Sequence, residues 1–313
     1  MLKYEIIKGM KTLRESLLDD DLIDKTDKII KDEIKAFLKA NYRGSIKISR
    51  GSNQNGKYEV SSIKDIIVKN RNITSLTNGM FIWTTVDGSF DCMNCNSLES
   101  LEGAPKEVGG QFYCFSCLSL TSLKYAPEKV GGDFNCGGCS SLKSLEGVPK
   151  EINGSFNCDG CSSLKSLEGS PKKVGGGFNC SFCKSLKSLE GAPKEVNNFY
   201  CIDCRSLKTL KGAPEKVGEN FFCSNCSSLK TLEGAPKEVG GNFTCINCRS
   251  LKTLEGSSQT VNRSFYCNNC SSLTSLNGAP KEIGGNFYCY NCASEFTIED
   301  VKKISNVKGA IMC

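Results

Sequence analysis

The chain has 313 residues, 39% of them apolar, with 40 Lys and Arg residues against 34 Asp and Glu residues. It contains 21 cysteines and no histidine, which excludes Ser-His-Asp and Cys-His catalysis and every zinc site that mixes cysteine with histidine. No run of 18 apolar residues indicates a membrane span. The N-terminus is charged and amphipathic rather than an apolar signal, so we expect a cytoplasmic protein with reduced cysteines and no membrane partner.

The first 89 residues carry a pattern of their own. Apolar residues recur at helical spacing over residues 2–18 and 22–38, which predicts a helical hairpin over residues 1–43, with an N-cap in the acidic run at residues 19–21. We favour a cap on the end of the fold, and the alternative is a docking or oligomerisation element. Residues 44–89 predict an irregular β segment with strands at 45–49 and 58–62. A degenerate first rung starts at Ile66, and an insertion is expected at residues 80–83.

Residues 90–293 repeat one short pattern ten times. Nine copies contain Phe-x-Cys-x-x-Cys-x-Ser-Leu and the last has Glu295 in place of the leucine, and the first cysteines recur every 22 residues with one step of 21. One copy is too short to bury a core of its own, so the copies must stack. Because Phe134, Asn135 and Cys136 alternate apolar, variable and apolar, each copy is expected to add one strand to a parallel sheet.

Two registers of the repeat predict corners rather than strands. All eight prolines fall in one register, where proline cannot donate to a ladder. Glycine pairs such as Gly131-Gly132 mark a second corner that leads back into the strand. A coil with one strand and two corners is typical of a solenoid.

The repeat resembles the leucine-rich repeats. Their pattern is met in part by Phe134, Cys136, Cys139, Leu142 and Leu145, with cysteine at a position where leucine is usual. The sequence of the copy at residues 231–243 is also similar to that of repeat proteins encoded by tailed phages and some bacteria. The resemblance implies a right-handed parallel solenoid of about ten rungs that binds other proteins, in the host cytoplasm or a virion if the gene is a phage gene.

The cysteine pairs allow three interpretations. Cys92/Cys95 followed by Cys114/Cys117 matches the spacing of a four-cysteine zinc site, so a multi-site zinc or iron protein is the alternative function. Equivalent cysteines on successive rungs would also lie within reach of a disulfide. We favour a structural ladder of small buried side chains, since every rung repeats the pair without preferring one neighbour. No cofactor is predicted.

The residues around the inward Phe and Cys positions vary between rungs and predict an exposed face. Aromatic residues on such a face are typical of binding hot spots, although strand propensity alone also favours them. The candidate partner-binding residues are Tyr113, Phe115, Phe182, Tyr200, Ile202, Phe222, Ile246, Tyr266, Tyr288 and Tyr290.

The remaining features argue against other functions. Residues 1–80 hold 16 Lys and Arg against 11 Asp and Glu, which leaves 24 against 23 for the rest of the chain. The array therefore lacks the basic stripe of a nucleic-acid groove. No acid, base and nucleophile converge, so we predict a non-enzymatic scaffold with an unidentified protein partner.

Residues 294–313 predict a C-terminal cap, with a capping box at Thr297 and Asp300 and a final strand at residues 309–313.

Overall fold

The computed structural model describes residues 20–51 and 57–313 and shows a parallel β-solenoid. Each regular rung contributes two short strands, one to each of two parallel sheets, rather than the single strand that the sequence predicts. The missed strand is a two-residue Glu/Lys-Val pair directly after the proline corner. Such a pair is too short to give a periodic signal in the sequence. In the described residues, no helix is long and apolar enough to cross a membrane.

The first sheet is formed by the Phe-x segments of the repeat. Twelve of its strands run parallel, and an antiparallel strand, Tyr42–Arg43, pairs with the first of them. The parallel strands are Ile66–Val68, Phe90–Asp91, Phe112–Tyr113, Phe134–Asn135, Phe156–Asn157, Phe178–Asn179, Phe199–Tyr200, Phe221–Phe222, Phe243–Thr244, Phe265–Tyr266, Phe287–Tyr288 and Ile311–Met312.

The second sheet lies at the other corner of each rung and is divided into three parts. The first part comprises Lys47–Arg50, Tyr58–Ser62, Phe81–Val86, Glu107–Val108 and Lys129–Val130. The second comprises Glu151–Ile152 and Lys173–Val174, and the third comprises Glu195–Val196, Lys216–Val217, Glu238–Val239, Thr260–Val261, Glu282–Ile283 and Asn306–Val307. Pairing is parallel except between Lys47–Arg50 and Tyr58–Ser62.

The exposed column of the second sheet alternates in charge. From Glu107 to Glu238, glutamate and lysine take turns on seven successive rungs, and Lys129 Nζ lies 2.7 Å from Glu107 Oε1. Opposite charges on neighbouring strands stabilise a sheet, and like charges would destabilise it. The charges of this face therefore neutralise one another.

The interruptions of the second sheet coincide with departures from the repeat. At the first, Tyr125 stands where most rungs have glycine and Val148 stands where most have alanine, so bulkier corners lie on both sides. At the second, the rung is one residue shorter, and the Asn197 amide donates to the Gly175 carbonyl over 2.9 Å. Larger or missing residues at a corner change the path of the coil enough to break a two-residue ladder.

The core is a stack of like side chains. Each inward Phe, Cys and Leu column is buried, and Leu186 is fully buried as predicted. The Phe rings of successive rungs lie 5.1–5.9 Å apart, from Phe90 to Phe287. Rings at this spacing gain stabilisation beyond their buried area. The stacking therefore couples each rung to both neighbours.

The N-terminal end of the core is covered by helix α1 (Asp20–Asn41). Ile34 and Leu38 are buried in the core, and the ring of Phe37 contacts that of Phe81 at 6.0 Å. The first helix of the predicted hairpin, with residue 19 of the predicted N-cap, lies outside the described residues. Ile66 pairs with Phe90, 24 residues later, so this rung is two residues longer than the regular 22, in line with the insertion expected at residues 80–83. Residues 81–83 extend a second-sheet strand, and Trp83 is fully buried.

The C-terminal end forms a last, modified rung. Helix α2 (Ile298–Ile304) has the predicted capping box, in which Thr297 Oγ1 accepts from the Asp300 N–H and Asp300 accepts from the Thr297 N–H. Phe296 packs against the core. The strand Ile311–Met312 then pairs with Phe287–Tyr288, which confirms the predicted final strand.

Ser258 offers a test of the proline corner. It replaces the proline of the repeat, is 1% exposed, and its hydroxyl has no hydrogen-bond partner among the described residues. We expect Ser258→Pro to stabilise the protein by about 1–3 kcal/mol, because it removes a buried unpaired hydroxyl and restricts the unfolded chain. The midpoint of urea unfolding measures this. Destabilisation by Ser258→Pro would show that the backbone of the Ser258 corner differs from that of the proline corners. Ser228→Pro is the control, and it is expected to destabilise the protein because residue 228 does not lie at this corner.

Candidate functional site

From Cys117 onward, the second cysteine of each pair hydrogen-bonds to the rung before it. Its thiol donates to the backbone carbonyl of the first cysteine on that rung, with Sγ to oxygen distances of 3.1–3.4 Å in nine bonds. Cys204 to Cys180 and Cys248 to Cys223 are two of them. A buried carbonyl without a partner is costly, and this small donor satisfies it inside the core. The cysteine ladder, meaning these nine thiol to carbonyl bonds, therefore has a structural role.

The turn between the two cysteines explains why the second thiol points inward. The residue just before the second cysteine has a positive φ on all ten rungs, and it is Asn, Asp, Ser or Gly on nine of them. These residue types tolerate the left-handed conformation best. The tight turn reverses the chain and places both cysteines of a pair in the core.

The cysteines have the properties of buried, protonated thiols. All 21 are free, and only Cys292 and Cys313 are appreciably exposed. Burial raises the pKa of Cys245 and Cys267 well above 9.0, and it raises the pKa of Cys270 to about 12. Across the described ranges, no group of three or more Cys, Asp or Glu side chains is arranged to hold a metal ion. The geometry favours the structural ladder over the zinc spacing.

The ten candidate partner-binding residues all lie on the outer side of the first sheet or the turn that follows it. Tyr113, Tyr200, Phe222, Tyr266 and Tyr288 are half-buried second residues of their strands. Phe115, Ile202, Ile246 and Tyr290 follow the first cysteine, and Phe182 follows by one more. None of the ten is in the core, so the alternation that the sequence predicts is present.

The structure separates these ten residues into two groups. Between Tyr113 and Tyr200 the same column holds Asn135, Asn157 and Asn179, whose side chains accept the N–H two residues along at 2.9–3.0 Å. Tyr113 and Phe115 are therefore isolated from the rest. The other eight lie on six successive rungs, and we call them the aromatic patch: Phe182, Tyr200, Ile202, Phe222, Ile246, Tyr266, Tyr288 and Tyr290.

Rings within the aromatic patch are stacked in pairs. Tyr200 and Phe222 have centroids 5.2 Å apart with planes 8° from parallel, and Tyr266 and Tyr288 have centroids 4.5 Å apart and 5° from parallel. The centroids lie one strand step apart, so the ring faces look along the solenoid axis. The patch therefore presents ring edges and hydroxyls to solvent.

Phe182 stands out by its backbone. It has φ +59° in the register that otherwise holds small or short polar residues, and it is 48% exposed. A bulky residue in the left-handed region is strained, and strained residues cluster at functional sites. This conformation supports Phe182 as a member of the patch.

On most rungs the residue before the inward Phe has a structural role that the sequence does not reveal. Asn220 Oδ1 accepts from the Asn242 N–H at 2.9 Å, and Asn242 Oδ1 accepts from the Ser264 N–H at 3.0 Å. Similar bonds link Asp133 to Ser155 and Ser264 to Asn286. This column was expected to belong to the ligand surface, but its oxygens are used in bonds between rungs.

Tyr125 is an exposed aromatic that the candidate set omits. It is 52% exposed with φ +70° in a register that is otherwise glycine, and Lys124 Nζ lies 5.2 Å from its ring centroid. It borders a groove of about 530 Å³ that Trp83 and Lys106 also line. The replacement of glycine by tyrosine at this position of the repeat is the sequence signal that could have identified Tyr125. A larger groove, about 820 Å³, follows the first interruption of the second sheet.

Comparison with known proteins adds little to this geometry. No protein-family model matches the sequence, and a search of curated proteins finds no match. Among solved structures, the chain is similar to a leucine-rich repeat protein from Bacteroides ovatus ATCC 8483. The two share 15% identity over 86% of this chain and 90% of that chain, with a TM-score of 0.27. The leucine-rich-repeat-like solenoid is evident from the repeat and the strand order of this chain itself.

A solenoid of this kind offers a long rigid surface instead of an enclosed site. Every rung contacts only its neighbours, and columns of exposed residues run along the axis. This architecture is typical of scaffolds that bind other proteins.

Proposed function

We propose that the protein is a non-enzymatic scaffold that binds a protein partner through the aromatic patch of the first sheet. The observation that carries the proposal is the two stacked pairs of half-exposed rings, Tyr200 with Phe222 and Tyr266 with Tyr288, flanked by Ile202 and Ile246. Aromatic side chains held rigidly at a surface lose little entropy on binding and dominate interface energies.

The contrast between the two sheets supports the choice of surface. The second sheet exposes alternating glutamate and lysine, and Lys129 forms an ion pair with Glu107 in this column. The first sheet exposes aromatic side chains over its C-terminal half, where the strands that carry them are hydrogen-bonded to their neighbours. An apolar surface on a rigid support is typical of a binding site.

The cysteine ladder supports a location in a reducing compartment such as the cytoplasm. Its bonds need protonated, reduced thiols at nine successive steps. The proposal holds equally for a bacterial gene and a phage gene.

A triple variant tests the proposed function. Tyr200→Ser, Phe222→Ser and Tyr266→Ser together should weaken partner binding about tenfold or more while the array stays folded, because all three side chains point outward. The measurement is quantitative affinity capture from cells, followed by titration of the captured protein against purified variants. Loss of the far-ultraviolet circular dichroism signal in the triple variant would show that this face is part of the core.

A matched control changes the other sheet. The variant with Glu151→Ser, Lys173→Ser and Glu195→Ser alters three exposed positions on successive second-sheet rungs and should bind as the wild type does. A partner lost from both variants, or from the control alone, would contradict the proposed surface.

A further inference from the structure

The aromatic column of the first sheet is interrupted by one small residue. Phe222 stacks on Tyr200 and Tyr266 stacks on Tyr288, and between these two pairs stands Thr244, which is 8% exposed. In-register pairing places Thr244 directly between Phe222 and Tyr266. Each of those rings therefore has one face on its stacking partner and the other directed at the Thr244 rung.

The spacing of the rungs sets the width of this opening. Phe222 and Tyr266 are two strand steps apart, which is about 9.6 Å at the usual spacing of about 4.8 Å. A ring inserted between two faces needs about 3.5–4.0 Å on each side, or about 7–8 Å in total. The space above Thr244, which we call the Thr244 slot, is thus wide enough for one planar side chain.

The residues that border the slot directly are uncharged, and the charged Glu219 and Arg263 lie one residue before them in the sequence. The residues before the three strands are Asn220, Asn242 and Ser264, and those after the first cysteines are Ser224, Ile246 and Asn268. The exposed Arg249 of this rung lies beyond the turn at Cys248. Since none of the bordering residues is a carboxylate, a cationic side chain would lose hydration and gain no ion pair from them, so a neutral occupant fits best.

The size of the patch argues against a second copy of this chain as the occupant. From Tyr200 to Tyr288 the column spans four strand steps, about 19 Å, and it is one to two residues wide. A stable protein interface buries about 800 Å² on each side. A narrow row of rings with one slot instead fits a single anchor side chain on an extended segment.

We propose that the Thr244 slot receives an uncharged aromatic side chain of the partner polypeptide, held between the faces of Phe222 and Tyr266. This inference rests on the proposed function, since it names the anchor that the aromatic patch recognises. It also explains why the column changes to threonine between two aromatic pairs.

Nuclear magnetic resonance with small probes tests the slot without the partner. N-acetyl-phenylalaninamide should shift the Thr244 methyl resonance in a saturable way, with half-saturation in the millimolar range. N-acetyl-argininamide and N-acetyl-leucinamide should bind at least about tenfold more weakly. Thr244→Tyr should abolish the effect, read from the Ile246 methyl resonances, because it completes the aromatic column and fills the slot. Tyrosine is already present in this register at Tyr200, Tyr266 and Tyr288, so we expect the fold to persist.

Asn157→Tyr is the matched control, since it adds the same side chain to the same column four rungs before Thr244, outside the patch. It should leave probe binding unchanged. The proposal is overturned if the aromatic probe gives no saturable shift, if the arginine probe binds more tightly, or if Thr244→Tyr binds as the wild type does. These results would leave the triple-serine test of the proposed function unaffected, so the two claims can fail separately.

Discussion

Raising the pH from 9 to 12 is expected to unfold the solenoid much more steeply than it unfolds an ordinary globular protein. Burial raises the pKa of thiols such as Cys245 and Cys267 above 9.0, and that of Cys270 to about 12. The folded protein therefore holds protons that the unfolded chain releases above pH 9. The stability from these protonated thiols is complete below pH 9 and is lost as the pH rises towards the folded pKa values.

The effect is large because many thiols act together. Each buried thiol lowers the free energy of unfolding by about 1.4 kcal/mol per pH unit in this window. Five of them would remove about 7 kcal/mol per unit, which is comparable with the total stability of a typical domain, roughly 5–15 kcal/mol. Urea unfolding followed by circular dichroism at pH 8, 9, 10 and 11 measures the slope.

The control for this experiment removes one thiol and keeps a donor. Burial raises the pKa of Cys248, whose thiol donates to the Cys223 carbonyl at 3.2 Å. Cys248→Ser retains an O–H donor but does not ionise, so the slope should fall by about 1.4 kcal/mol per pH unit. An unchanged slope would mean that other groups, such as lysine and tyrosine, cause the alkaline transition.

Phe221→Ala is expected to cost about 3–5 kcal/mol, while Phe222→Ala, the neighbouring change, should cost about 1 kcal/mol. Phe221 is fully buried between the rings of Phe199 at 5.6 Å and Phe243 at 5.1 Å. Phe222 is half-exposed and contacts the ring of Tyr200. The pair compares the inner and outer faces of one strand with identical side chains.

Equilibrium unfolding in urea gives both free energies. Equal costs for Phe221→Ala and Phe222→Ala would contradict the alternation on which the core and the aromatic patch depend. A low cost for Phe222→Ala would also establish that this position can be changed in binding experiments without loss of the fold.

Much of the fold can be predicted from the sequence because each structurally required residue recurs in many copies of the repeat. Ten copies fix the inward Phe and Cys columns, and the Thr297 capping box is a local signal that needs no tertiary contact. The second sheet was missed because two-residue strands lack periodicity. The strand Phe81–Val86 was not predicted because a single irregular strand has no copies with which to compare it.

The candidate site is predicted less completely for a different reason. Sequence spacing places aromatic residues such as Tyr200 and Tyr266 on the exposed side, but it cannot show which of them share a surface. The isolation of Tyr113 depends on the side-chain bonds of Asn135 and its equivalents, and the role of Thr244 depends on ring stacking across rungs. Both are relations between strands, which appear only when the coils are stacked.

The central claim is that the cysteines are reduced core residues, and one purified sample tests it most directly. Native protein, exchanged out of reductant, is titrated for reactive thiols before and after denaturation, and its metal content is measured. We expect rapid reaction at Cys313, slower reaction at the half-buried Cys292, all 21 thiols only after denaturation, and less than one metal ion per chain. Several zinc or iron ions per chain, or many thiols that react in the native state, would contradict the account and make the cysteine pairs the functional centre.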